Sequence, residues 1–167
     1  MGGFAQGFID FVLLSFKVGF MTTSLQPSQI LARGVARHLR VLGFDSLKEF
    51  SPIRGLRSDI TALNVQGELW IVECKSSRSD FQTDRKWTGY LDWCDRYFWA
   101  VDEAFPTEIL PAESGLMIAD GFGAEIIRQG ILVQLSAARR KALTRRFATT
   151  AAHRLQRFTD PDAALLR

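Results

Sequence analysis

The chain has 167 residues, of which 47% are hydrophobic and 23% are charged, and its mean hydropathy is +0.01. This composition is typical of a folded domain and excludes a disordered or collagen-like chain. At this length a single core buries about two-thirds of the unfolded chain's surface, so we expect one domain that folds without disulfides or a structural metal.

Charge and cysteine content indicate the kind of partner and the compartment. The net charge is only +3, but 16 of the 21 cationic residues are arginines, and they concentrate in two segments. Clustered arginines bind phosphate, and together with a pI near 9.1 they are typical of a protein with a polyanionic partner. Cys74 and Cys94 have no spacing typical of metal ligands, so we expect free thiols in a reducing cytoplasm.

Residues 1–20 are apolar and raise the question of a signal peptide or a membrane span. No basic region precedes the stretch and no small-residue cleavage site follows it, so we expect neither. Three residues interrupt its apolar character: Gln6, Asp10 and Lys17. Because the composition changes at Met21, we predict that translation naturally begins there, which leaves residues 21–167 as a single domain.

The first predicted element is an amphipathic helix over residues 28–42, with Ser28 as its N-cap and Gly43 as its stop. A loop is predicted over residues 50–59. Two β-rich runs, 59–65 and 68–75, then flank the turn Gln66-Gly67 and predict a hairpin.

The later elements continue the alternation of helices and strands. In chain order we predict a helix over 79–95 capped by Ser79 or Asp80, a strand over 97–101, a loop over 105–115, a hairpin of 115–120 and 124–129, and a helix from about Ser136 to Phe158. We find no internal repeat and no interdomain linker.

The last predicted helix carries seven lysines and arginines and no acid. A packing stripe recurs every four residues: Leu143, Phe147, Ala151 and Leu155. Arg139, Arg146 and Arg157 share a neighbouring face. A solvated helix usually mixes charges of both signs, so two interpretations remain, a phosphate-binding face and a solvated charged face.

The sequence contains the pattern of an acidic residue, any residue and a lysine at 73–75 and at 84–86. On a strand, side chains two apart point to the same face, so Glu73 and Lys75 project together. On a helix, side chains two residues apart diverge by roughly 200°, so Asp84 and Lys86 do not project to the same side. The sequence therefore predicts a shared site only at 73–75.

Asp59 opens the preceding predicted strand, and counting outward from the hairpin turn places it roughly opposite Cys74, beside Glu73. Two carboxylates at the edge of a core repel each other, and a bound hard cation relieves that repulsion. Asp59, Glu73 and the backbone carbonyl of Cys74 offer the oxygen ligands that Mg²⁺ accepts. Lys75 would orient the attacking water or stabilise negative charge on a phosphate. The alternative is a structural ion cluster.

These residues resemble the PD-(D/E)XK nuclease superfamily. The segments RSDITAL, GELWIVECKSSRSDF and GLMIADGFGAEI resemble the MmcB family of bacterial DNA repair proteins, over about residues 28–158. The resemblance implies an α/β fold with a restriction-endonuclease-like αβββαβ core, a central mixed sheet flanked by helices, and a basic C-terminal helix. It also implies hydrolysis of DNA phosphodiester bonds with Mg²⁺ or Mn²⁺. The partners it implies are DNA and other repair proteins, and it implies no membrane.

By position in the superfamily's motif, Asp59 and Glu73 would bind the metal, and Lys75 would act in hydrolysis. Ser58 stands where the motif has proline. Many members add an acid on the first helix, and Glu49 is the nearest candidate for a further metal ligand. Some relatives place a glutamine and a tyrosine four apart on the next helix, and here Lys86 holds the glutamine position.

The candidate DNA contacts are Arg78, Arg85 and Lys86 after the motif and Arg139, Arg146 and Arg157 on the last helix. No recognition helix or zinc finger is visible, so we expect backbone-driven, salt-sensitive binding. The alternative function is a nuclease fold that binds DNA or a repair partner without cutting.

Overall fold

A six-stranded mixed sheet flanked by helices makes up residues 25–162, the part of the chain that this computed structural model describes. The predicted leader and the predicted start at Met21 lie outside the described residues. The elements in chain order are α1 Pro27–Val41, β1 Phe44–Ile53, β2 Leu56–Asn64, β3 Leu69–Lys75, α2 Arg78–Thr83, a 3₁₀ helix Trp87–Trp93, β4 Arg96–Val101, a 3₁₀ turn Thr107–Ile109, β5 Gly115–Ala119, β6 Ala124–Arg128 and α3 Ala137–Thr159.

The strands lie side by side in the order in which they occur in the chain. β1, β2 and β3 pair antiparallel, β3, β4 and β5 pair parallel, and β6 returns antiparallel to β5. The fold is therefore of the predicted α/β class, and its first six α-helices and strands follow the order αβββαβ. No helix in the described range is long and apolar enough to cross a membrane.

Helix α1 covers one face of the sheet with the apolar stripe that the sequence predicts, including Leu31, Val35 and Leu39. The predicted N-cap is wrong, because the helix starts at Pro27 and Gln26 occupies the cap position. Proline fits the first helical position because its fixed φ suits the helix and its missing N–H is not needed there.

Gly34 of α1 lies directly against the turn between β5 and β6. A methyl group at this position would overlap the backbone oxygens of Asp120 and Gly123. We expect Gly34→Ala to lower the free energy of unfolding by about 1–3 kcal/mol, measured by urea denaturation, because the backbone must move to make room. Gly123→Ala is the control, since a methyl group there meets nothing within 4 Å. Equal unfolding midpoints for the two variants would contradict this packing.

The segment 44–53 forms β1, a strand that the sequence did not predict. The loop predicted over 50–59 is wrong, because the chain turns tightly at Gly55, whose φ is +90°, and β2 begins at Leu56. β1 is an edge strand, so its charged residues and Pro52 are tolerated, and these are the features that hide a strand from the sequence pattern.

The turn between β2 and β3 differs from the prediction by one residue. Asn64 N–H donates to Glu68 O at 3.2 Å, so the loop spans residues 65–67 rather than Gln66-Gly67 alone. Ile60 consequently pairs with Val72, which sets Asp59 opposite Glu73 instead of opposite Cys74. The shift puts both carboxylates on one face of the sheet, because cross-strand partners share a face.

The helix predicted over 79–95 is divided into α2 and the 3₁₀ helix. The predicted caps Ser79 and Asp80 are wrong, because Ser77 caps α2 and its hydroxyl accepts the Asp80 N–H at 3.2 Å. After Thr83 the backbone becomes extended at Asp84, whose carboxylate accepts the Lys86 N–H at 2.9 Å.

Strand β4, the second hairpin and the last helix agree closely with the prediction. α3 is capped by Ser136 and begins one residue later. The predicted stripe is buried only in its first half, where Leu143 and Phe147 pack on Phe50, whereas Leu155 is 63% exposed. Both cysteines are free and buried, as expected from their spacing.

Candidate active site

Hydrogen bonds from backbone N–H groups to carboxylate oxygens hold Asp59 of β2 and Glu73 of β3 together. The Asp59 N–H donates to Glu73 Oε1 at 3.0 Å, and the Cys74 N–H donates to Asp59 Oδ2 at 2.8 Å. Each carboxylate therefore accepts a hydrogen bond from the opposite strand through one of its oxygens. The structure brings these two predicted site residues together, on the face that also carries Lys75.

Both carboxylates lie in surroundings that disfavour negative charge. Burial and the neighbouring charge of Asp59 raise the pKa of Glu73 to about 8. Burial also raises the pKa of Asp59, against the lowering effect of the Cys74 N–H and of Lys75. Two adjacent carboxyl groups with raised pKa values favour either a proton or a cation between them.

Lys75 completes the group, and its shortest contact is with Asp84, an acid that was not predicted as a site residue. Its Nζ lies 2.7 Å from Asp84 Oδ2, 3.9 Å from Asp80 and 4.0 Å from Glu73 Oε2, and its side chain is 8% exposed. The same ammonium lies 5.7 Å from the centre of the Trp99 ring. Burial lowers the pKa of Lys75, but the bond to Asp84 and the negative charges of Asp84, Glu73 and Asp80 together outweigh burial and raise it.

Asp84 and Asp80 are site residues that sequence reasoning missed. From the sequence, Asp84 was compared only with Lys86 and not with Lys75 on β3. Asp80 and Asp84 are four residues apart, a spacing that places two side chains on one face of a helix. The helix breaks after Thr83, and Asp84 lies 2.7 Å from Lys75. The one sequence sign of this break is the pair Thr83-Asp84, because both residues are poor helix formers.

The residues fit a hard divalent cation better than a softer metal. The donors available are carboxylate and carbonyl oxygens, which Mg²⁺ and Mn²⁺ prefer. Burial raises the pKa of the Cys74 thiol well above its ordinary value, so this residue would contribute only its backbone carbonyl. Within residues 25–162 no three His, Cys, Asp or Glu side chains gather as a metal site. Waters would therefore have to complete the coordination.

Glu49, the additional candidate ligand, lies on β1 rather than on or just after the first helix. Its neighbours Lys48 and Phe50 pair with Ile60 and Ser58, so Glu49 occupies the position beside Asp59. Its carboxylate lies 3.6 Å from Arg57, however, and is 57% exposed. The structure therefore places Glu49 next to the carboxylate pair in the sheet, with its charge directed to an arginine.

The predicted DNA contacts fall into two groups. Arg78, Arg85 and Lys86 are exposed on and after α2, the segment that contacts Lys75. On α3, Arg146 and Arg157 are exposed, whereas Arg139 lies over the Trp93 ring at 4.9 Å and donates to Asp92 O at 2.6 Å. Arg139 therefore already has protein partners.

The αβββαβ core, with an acidic pair and a lysine on its second and third strands, defines a restriction-endonuclease-like α/β protein. The chain belongs to the MmcB-like DNA repair protein family, whose sequence model matches residues 22–162. It is similar to a solved structure, the SPO1766 protein of unknown function from Silicibacter pomeroyi, at 62% identity and a TM-score of 0.81. That match covers 83% of this chain and 95% of the other. No curated protein matches the chain.

Proposed function

We propose that this protein is a metal-dependent deoxyribonuclease that hydrolyses phosphodiester bonds in DNA repair. The observation that carries the proposal is the adjacent pair of half-buried Asp59 and buried Glu73, with the Lys75 ammonium on the same face of the sheet. Membership of a DNA repair family supports the repair role and makes DNA the expected substrate.

Asp59, Glu73 and the Cys74 carbonyl would hold the cation in this proposal. A bound Mg²⁺ or Mn²⁺ would acidify a water and neutralise charge on the phosphate under attack. Lys75 acts as a positive charge rather than as a base, because its pKa is raised and it keeps its proton. Its ammonium stabilises the negative charge that develops on the phosphate oxygens, and Asp84 fixes the position of that ammonium.

A second candidate function is a nuclease fold that binds DNA or a repair partner without cutting it. One observation favours it: Lys75 is bonded at 2.7 Å to Asp84, a contact that competes with a phosphate for the ammonium. The family name states a role in repair and does not state cleavage.

Cleavage assays distinguish the two candidates. Single-stranded, duplex and branched DNA are incubated with Mg²⁺, Mn²⁺ or EDTA, using wild type, Asp59→Asn, Lys75→Ala and Asp45→Asn. Asp45 is a control because it forms an exposed ion pair with Arg40. We expect cation-dependent cutting by wild type and Asp45→Asn, and a loss of about 100-fold or more in the other two variants.

Two results would contradict the nuclease proposal. Equal cutting by wild type, Asp59→Asn and Lys75→Ala would indicate a contaminating nuclease. DNA binding by every variant without cutting under any condition would support the second candidate instead.

A further inference from the structure

A cavity of about 510 Å³ opens on the β1 side of Asp59. Parts of four elements line it: the first turn of α1, the middle of β1, the start of β2 and the distal half of α3. Its polar lining includes Ser28, Gln29, Lys48, Arg57, Asp59 and Arg154. This volume lies in the range of sites that hold small ligands, and it is large enough for a nucleotide unit.

The cavity lining carries more positive than negative charge. Three cations, Lys48, Arg57 and Arg154, face two acids, Glu49 and Asp59. Glu49 is 3.6 Å from Arg57, and one oxygen of Asp59 accepts the Cys74 N–H. A backbone N–H does not cancel the charge of a carboxylate, so the two acids offset two of the three cations. The lining keeps an excess of one positive charge, and an anion is the favoured occupant.

Arg154 reaches this cavity from the distal half of α3, where most side chains are exposed. Its guanidinium donates to the backbone oxygens of Lys48 at 2.5 Å and of Glu49 at 2.9 Å. Glu49 has a φ of +49°, a strained conformation for a non-glycine residue that is concentrated at ligand sites. Two of the five guanidinium N–H groups are used in this way, which leaves others for a ligand.

We propose that the cavity binds a phosphate group of the DNA strand next to the bond that is cut, through Lys48, Arg57 and Arg154. The inference rests on the proposed function, because the cavity lies next to the cleaved bond only if Asp59 belongs to the active site. It places strand contacts on the β1 side of the carboxylate pair, opposite the contacts expected from Arg78, Arg85 and Lys86. The bound group is either an internal phosphodiester or a terminal phosphate.

Binding is measured in EDTA by fluorescence anisotropy, so that no strand is cut. The probes are labelled single strands of one sequence with a 5′-phosphate, a 3′-phosphate or hydroxyls at both ends, and a circular form. The variants are Lys48→Ala, Arg57→Ala and the conservative Lys48→Arg. Arg40→Ala is the matched control, because Arg40 lies about 16 Å further along α1 than Gln29 at the helical rise of 1.5 Å per residue. Urea denaturation checks that each variant is folded.

We expect Lys48→Ala and Arg57→Ala each to bind about tenfold more weakly, with a salt slope reduced by about 0.7. Lys48→Arg should bind like wild type. If the weakening appears only with one kind of phosphorylated end, the cavity holds a terminal phosphate. If it appears equally with the circle, the cavity holds an internal phosphodiester.

Wild-type affinity and salt slope in both alanine variants, as in Arg40→Ala, would overturn the inference. These outcomes are separable from a failure of the proposed function. If wild type never cuts but the variants bind weakly, the phosphate cavity stands without the nuclease. If wild type cuts and the variants bind normally, the nuclease stands without the cavity.

Discussion

Replacing Asp95 with alanine should lower the free energy of unfolding by about 3–5 kcal/mol. Asp95 is 1% exposed, and each of its oxygens accepts a bond from Arg140 of α3 at 2.7 Å. The same carboxylate accepts the Leu69 N–H at 2.8 Å and the Leu135 N–H at 3.0 Å. Its removal leaves two backbone donors without their acceptor and the Arg140 guanidinium with only the Gly67 carbonyl, and it weakens the attachment of α3 to the start of β3.

The pH dependence of this effect has a defined sign. Burial alone would raise the pKa of Asp95, but Arg140 and the two backbone donors hold it below 3.8. Because the folded-state pKa is lowered, the stabilisation is complete above the unfolded value and is lost as the pH falls through the folded value. The difference between wild type and Asp95→Ala should therefore shrink in acid, below about pH 3.8.

Asp92→Ala is the matched control for Asp95→Ala. Asp92 also faces an arginine of α3, at 3.7 Å from Arg139, but its side chain is 80% exposed. Exposed ion pairs contribute about 0–1 kcal/mol, so this variant should unfold near the wild-type urea concentration. If both variants unfold at the same concentration, Asp95 does not hold α3 in place.

The second large effect concerns Glu73 in the metal-free protein. Its carboxyl has a pKa of about 8 when folded, against 4.5 for an ordinary glutamate. The folded state therefore keeps a proton that the unfolded state loses, and stability falls as the pH rises between these values, by about 1.4 kcal/mol per pH unit. Glu73→Gln stays uncharged and should lack this decline, so in EDTA it should be more stable than wild type at pH 8 to 9.

Urea titrations from pH 5 to 9 measure this difference directly. Glu125→Gln on the edge strand β6 is the control, because its exposed side chain should leave the wild-type profile unchanged. The gap between wild type and Glu73→Gln should close toward pH 5, where both side chains are uncharged in the folded protein. A gap that is constant with pH would show that Glu73 is not held with a raised pKa.

The sequence predicted the residues of the carboxylate pair but not the full set of charges around it. Glu73 and Lys75 were predictable, because an apolar strand with a period of two fixes which side chains share a face. The position of Asp59 opposite β3 was predicted to within one residue. The error arose because the turn between β2 and β3 has three residues and the sequence predicted two. Asp84 was missed because its position was compared only with Lys86 in the same segment, whereas its partner Lys75 lies on β3.

Strand β1 illustrates a different limit. Its alternation of buried and exposed residues is irregular, and Pro52 and the charges at 48 and 49 are features of a loop as much as of an edge strand. The resemblance to an αβββαβ core implied three strands before the second helix, whereas the local pattern supplied two. The edge position decides the outcome, because an edge strand needs only one partner and one covered face.

The central claim is that Asp59 and Glu73 hold a divalent cation beside Lys75, and Mn²⁺ titration calorimetry tests it most directly. Wild type at pH 8 should bind Mn²⁺ at the carboxylate pair, more weakly at pH 6, where Glu73 keeps its proton. Asp59→Asn and Glu73→Gln should lose this binding, and Asp45→Asn should retain it. Mn²⁺ binding of equal strength in all four proteins, or no binding by wild type at pH 8, would contradict the account.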